Sequence, residues 1–204
     1  MKNVHFVRVL SVSIFFCIAV IACRRYDDTV VDENSPALRI AKSENLVVPD
    51  AVKLPFNAPA GNSRVFTFFA DGVQKYKAEE IPDSNPIAYR WVFVAPQADL
   101  YDATNKKVGT HSQGPTWQLS ALDSIYGQAF DPPRTAPASD AGSIDWLLLM
   151  PKTDHAPTGV FADVDYVQRL DTKGGKAPAT PPTSATDNVS VPYTAIYRFS
   201  KINP

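Results

Sequence analysis

Arg64-Val-Phe-Thr-Phe-Phe-Ala-Asp-Gly-Val-Gln-Lys-Tyr-Lys-Ala78 is the stretch on which the fold reading turns. Its first arm is β-branched and aromatic, the composition that suits a pleated, half-buried surface. Asp71-Gly72 can supply the positive dihedrals of a type I′ turn, so the stretch predicts a hairpin with arms Arg64–Phe69 and Val73–Ala78. In the second arm Lys75 and Lys77 share one face and Tyr76 takes the other. Downstream, Tyr89–Ala95 is apolar on both faces and predicts a central strand. Ala98–Tyr101 and Lys106–His111 predict another hairpin around Ala103-Thr-Asn105, with Val108 inward and Lys107 and His111 on the opposite, polar face. Trp117–Leu119, Ser124–Phe130 and Ile144–Met150 read as further strands, as does Asp163–Asp171, with Val164, Tyr166 and Leu170 on one face and Arg169 opposite. Tyr193–Phe199 closes the series, alternating Tyr193, Ala195, Tyr197 and Phe199 with Thr194, Ile196 and Arg198.

No window carries helical periodicity, and 18 prolines are spread through the chain. Asp131–Ser139 and the Pro/Thr/Ser-rich segment from Thr172 to Asn188 read as loops. The expectation is an all-β, single-domain antiparallel β-sandwich or barrel over residues 46–204, with roughly nine short strands and long Pro-rich loops.

Residues 1–22 read as an export signal: Lys2 and Arg8 precede the apolar run Val9–Ile21, which is too short to span a bilayer. Val20-Ile21-Ala22-Cys23 matches the bacterial lipobox, which predicts cleavage before Cys23 and lipid attachment to it. Residues 23–45 are polar and suit a tether. Arg24 stands where an aspartate would favour inner-membrane retention, so the expected location is the bacterial cell envelope, with anchoring to the outer membrane. Cleavage would remove Cys17 and acylation would consume Cys23, leaving neither a disulfide nor a thiolate nucleophile. The mature chain would hold 18 basic against 21 acidic residues, a net charge of −3 without the clustered basic surplus of a nucleic-acid binder.

Several chemistries find no motif. There is no Gly-x-Gly-x-x-Gly, no phosphate loop (Gly174-Gly175-Lys176 is followed by alanine), no His-Glu-x-x-His and no Gly-x-Ser-x-Gly. With His5 in the export signal, only His111 and His155 would remain, too few for a three-histidine zinc site, and His155 sits in a surface turn by composition. No cofactor is expected and no metal.

Two stretches stand out. Gly109-Thr-His-Ser-Gln-Gly-Pro-Thr-Trp117 places His111 and Trp117 on either side of a Gly-Pro corner. Gln168-Arg-Leu-Asp-Thr-Lys-Gly-Gly-Lys176 sets Arg169, Lys173 and Lys176 around a diglycine, where backbone donors beside cations suit a carboxylate, sulfate or sugar acid. If both meet at one rim, His111, Trp117, Arg169, Lys173 and Lys176 form a single ligand-binding site. In an enzyme, His111 would be the general base, oriented by Asp145 or Asp123.

Gly109-Thr-His-x-x-Gly-Pro-x-Trp117, Ile144-Asp-Trp-Leu-Leu-Leu149, Val164–Pro178 and Val191–Phe199 together resemble, in content and order, the secreted bacterial and fungal family catalogued as domain of unknown function 3455. The resemblance covers Leu46 to the C-terminus and implies an identity without a mechanism. Some relatives carry a malate dehydrogenase label, against which the missing dinucleotide fingerprint argues. It also implies a cysteine where Ala78 stands and another after Ala177-Pro178. This chain has neither, so the diglycine loop is expected to be looser. The leading functional expectation is a lipid-anchored extracytoplasmic binding or interaction module for a small polar or anionic ligand, such as a carbohydrate, or for an envelope protein. The alternatives are the His111 enzyme and a structural envelope protein whose Pro/Thr/Ser-rich loops contact partners.

Overall fold

The computed structural model describes residues 32–204. The export signal and Cys23 lie outside the described residues. Eight antiparallel strands run in sequence order and close on themselves as a barrel: β1 Asn62–Glu80, β2 Tyr89–Tyr101, β3 Lys107–Ser112, β4 Thr116–Ser120, β5 Asp123–Ala136, β6 Trp146–Pro151, β7 Tyr166–Gly174 and β8 Asn188–Ile202. The all-β expectation holds, in its barrel form. Among the described residues, closure of β8 on β1 leaves no free sheet edge to pair with another chain.

The strands are fewer and longer than expected. The Arg64–Ala78 hairpin does not exist: β1 runs straight through Asp71-Gly72, which pairs with Asp99 and Ala98 on one side and Thr194 and Tyr193 on the other. Gly72 is needed for closeness instead of for a turn, since a Cβ there would lie 2.1 Å from the Gln97 carbonyl oxygen. Tyr89–Ala95 and Ala98–Tyr101 are likewise one strand, continuous through Pro96. Asp131–Ala136 belongs to β5, whose register jumps between Ala129 and Arg134, so that the intervening prolines sit in a bulge where their missing donors do no harm.

Alternation sorts the side chains. Phe68, Ala70, Leu100, Trp117, Ile125, Leu149, Val167 and the β8 row Tyr193, Ala195, Tyr197, Phe199 belong to one buried cluster, the barrel interior. Trp146, Leu148, Tyr166 and Leu170 belong to a second cluster on the outer face, together with Val52 and Leu54. Residues 46–54 cover this face, Gln168 donating to the Val52 carbonyl and Arg134 to those of Ala51 and Lys53. A helix, α1 (Pro36–Ser43), falls within the stretch expected to be tether and packs Ile40 against Phe69 and Ile196. An ion pair from Arg39 to Asp171, 2.8 Å, fastens it, and Arg198 donates to the Ser43 carbonyl.

In such a barrel the connections alternate between two ends. The β6–β7 connection carries a 3-10 turn at Gly159–Phe161, whose fully buried Phe161 packs on Phe66 and Phe199 at ring distances of 5.7 and 5.1 Å. That end is closed. The β1–β2, β3–β4, β5–β6 and β7–β8 connections leave from the other end.

Candidate functional site

A cavity of about 460 Å³ occupies the lumen at that other end, and every strand contributes to its lining. Phe93, Val94 and Pro96 of β2, Ala129 of β5, and Leu147 and Leu149 of β6 make the apolar walls. The polar lining comes from Gln74, His111, Gln113, Arg169 and Tyr197, with Trp117 beside them. Phe93 and Val94 stand partly exposed at the rim, where a bulge opposite Lys75 and Tyr76 interrupts the alternation so that both line the mouth.

The β3–β4 corner behaves as the sequence suggests up to a point. His111 and Trp117 face each other across the hairpin, joined by a turn at Gln113-Gly114-Pro115, where Gly114 takes φ of 133°. Yet His111 does not share a polar face with Lys107. An irregularity beside Leu100 leaves Val108 as an extra residue, which rotates Lys107 outward to Asp99 (2.8 Å) and His111 inward. His111 is 3 % exposed, stacked on Trp117 at 4.6 Å, with Tyr197 4.9 Å away.

His111 Nδ1 lies 2.9 Å from the Thr116 carbonyl oxygen. A carbonyl can only accept, so Nδ1 carries the proton and Nε2 is left as an acceptor. Burial pushes the imidazole pKa down to about 4, against the Thr116 bond, and the Arg169 charge adds to the fall. At neutral pH the ring is uncharged. Neither aspartate considered as its partner is bonded to it. Asp123 accepts from Ser120 Oγ and the Val160 amide, and Asp145 uses its main-chain carbonyl to hold Arg169.

Arg169 points into the lumen beside Tyr197, and its Nε and Nη2 donate to the Asp145 carbonyl at 3.1 and 2.8 Å. Among the described residues it makes no ion pair. The lysines of the same stretch lie elsewhere. Their diglycine leaves from the open end, as expected, but Lys173 Nζ is near Ser139 Oγ (3.5 Å) and Asp171, and Lys176 Nζ donates to the Ala141 carbonyl (3.0 Å). The cause is a register shift after Leu170, with Asp171 at φ of 44°, which turns the chain away from the lumen. Backbone donors in this loop are also engaged, Gly174 to Ser143 Oγ and Lys176 to the Gly142 carbonyl. Three of the five expected residues therefore converge, and two face outward.

The loop that follows is tied down without a disulfide. Tyr76 Oη donates to the Gly175 carbonyl (2.6 Å), Trp91 Nε1 to that of Thr180 (2.9 Å), and the Ala78 amide to that of Asp187 (2.8 Å).

Gln74 and Tyr197 were missed by the motif reading. Both are buried, and among the described residues Gln74 Nε2, Tyr197 Oη and Trp117 Nε1 make no hydrogen bond of good geometry, nor does the neighbouring Tyr193 Oη, although Tyr193 lies close to Gln74 and Tyr197, and Tyr197 close to Arg169. Burial pushes both tyrosine hydroxyls above their ordinary pKa, so they stay protonated. The signal for Gln74 was its place in the inward row Phe66, Phe68, Ala70, Gly72, Gln74, a row visible only once β1 is unbroken. Among the described residues no three His, Cys, Asp or Glu side chains gather as a metal site, and no helix is long and apolar enough to cross a membrane.

A family model with the description "Protein of unknown function (DUF3455)" matches residues 59–201, from just before β1 to the end of β8. No curated protein and no solved structure matches the chain.

Proposed function

The chain belongs to the DUF3455 family, and on that premise we propose that it is a binding protein whose barrel lumen takes one small molecule, held at the cell envelope by lipid on Cys23. One observation carries the binding reading: a cavity lined by all eight strands counts among its lining residues Gln74, Trp117 and Tyr197, each with a buried polar atom that has no hydrogen-bond partner. A buried donor left unsatisfied costs roughly 1–3 kcal/mol, so a fold that retains several in residues lining one cavity suits an occupant that satisfies them through small side-chain rotations. The volume lies within the roughly 300–1,000 Å³ usual for small-ligand pockets, and eight strands is the size at which a barrel can hold one such ligand.

Trp117 contributes its edge and orphan N–H more than an open platform, since His111 covers one face and Tyr197 and Phe199 abut the ring edge-on. Phe93, at the rim, is the aromatic surface open to an entering molecule.

Thermal-shift screening of the chain from Arg24 onward tests the reading. A ligand present at a hundredfold over its Kd adds about 2.7 kcal/mol to stability. The shift should vanish in Ala129→Phe, which fills the lumen. Shifts that survive Ala129→Phe would place binding outside the barrel and end the proposal. For the anchor, Cys23→Ala should move the full chain out of the membrane fraction and abolish acyl labelling; a variant still labelled and membrane-bound removes the lipobox reading.

A further inference from the structure

We propose that the lumen selects a monocarboxylate with an apolar body, its carboxylate seated at Arg169 among the Gln74, Tyr197 and Trp117 donors. This rests on the small-molecule reading above and adds the chemical class.

The argument begins with charge. Among the described residues Arg169 is the one charged side chain lining the cavity, and no carboxylate lines it. His111 is neutral there at physiological pH and adds no second positive charge. The Asp145 carbonyl takes Nε and Nη2 of Arg169, which fixes the guanidinium plane beside Tyr197 and, among the described residues, leaves Nη1 without an acidic partner. A carbonyl satisfies hydrogen bonding but does not neutralise a cation, so the positive charge of the guanidinium meets no anion among the described residues.

The unpartnered atoms agree in sign. Gln74 Nε2 and Trp117 Nε1 can only donate, and the protonated Tyr197 hydroxyl can donate as well. All three residues are at least nine-tenths buried and line the cavity. A cluster of donors beside one uncompensated cation is complementary to an oxyanion. One cation matches one negative charge, which favours a carboxylate over a phosphate monoester carrying nearly two. Beyond the head, Phe93, Pro96, Leu147 and Leu149 present carbon to the remaining volume, so the body of the ligand is apolar.

The experiment is calorimetry on the chain from Arg24 onward, using 4-phenylbutanoate and its primary amide, which keeps the shape and removes the charge. The acid is expected to bind at least tenfold more tightly than the amide. Arg169→Gln should lower acid affinity about ten- to a hundredfold and bring the two ligands level, the size of one lost charge-assisted contact. Because Arg169 also holds the Asp145 carbonyl, Tyr197→Phe serves as the second variant; it leaves that contact intact and should weaken the acid about tenfold. Equal or tighter binding of the amide by the unaltered chain overturns the inference while leaving the lumen as a pocket for neutral molecules. If neither probe binds, the class assignment fails, and the Ala129→Phe comparison across a wider ligand set separately decides whether the lumen binds at all.

Discussion

At one end of the barrel Phe66, Phe68, Phe161 and Phe199 meet ring to ring and leave no lumen. At the other, the same strands β1 and β8 supply Gln74 and Tyr197, and β3 and β7 supply His111 and Arg169 around open space. The inward row of β1 passes from Phe66 and Phe68 through Ala70 and Gly72 to Gln74, so bulk falls away and polarity appears along one continuous strand. The fold is stabilised at the closed end, where apolar area leaves water. The open end carries unmet polar groups that work against stability. Unsatisfied donors are tolerated there because the packed end carries the cost.

That division makes unequal demands on substitutions. Phe199→Ala, at the closed end, should cost about 3–5 kcal/mol and abolish cooperative unfolding at moderate temperature, since Phe199 is fully buried among three aromatic rings. A loss below about 1 kcal/mol by chemical denaturation would break the comparison.

Next in size is a pH effect at the open end. In the folded chain His111 has a pKa of about 4 against an ordinary 6.5. Between those values the unfolded chain binds more protons, so stability is fully present above about pH 6.5, falls as pH drops towards 4 and levels off below it. The loss from this group is about 3 kcal/mol. Carboxylates held below their usual range, such as Asp140 and Asp187, lose their contribution only below this window. His111→Gln can still donate to the Thr116 carbonyl and should flatten the melting temperature between pH 6.5 and 4. An unchanged slope in that variant would show that the burial of His111 is not what makes the chain acid-sensitive.

The smallest effect belongs to the rim. Phe93→Ser should change stability by no more than about 0.5 kcal/mol, because the side chain is half exposed. It should nevertheless weaken any lumen ligand whose body reaches the mouth. Equal losses of stability and binding would mean that the rim is structural too.

How much of this could be read beforehand varies from strand to strand. In β8 the alternation of Tyr193, Ala195, Tyr197 and Phe199 with Thr194, Ile196 and Arg198 gives the faces correctly, because the bulge between Leu170 and Lys173 puts its extra residue on β7 and leaves β8 itself evenly alternating. In β1 a local signal misled: Asp71-Gly72 has the composition of a turn, but pairing on both sides keeps it extended. That error hid Gln74 by splitting its row. The corner at Gln113–Pro115 was legible because a Gly-Pro pair at a strand end has few other conformations.

Composition and period by themselves determined the all-β class, the absence of the familiar catalytic motifs, and the pairing of His111 with Trp117 across a turn, all of which depend on residues close in sequence. Closure of the ring, the packed and open ends, and the inward turn of Arg169 away from Lys173 and Lys176 were decided only in three dimensions. Side-chain direction in a strand reverses with each residue, so a single bulge, such as those at Val108 and beyond Leu170, exchanges inside for outside. Whether a bulge forms depends on how a partner strand far away in sequence fits, and nothing local records that.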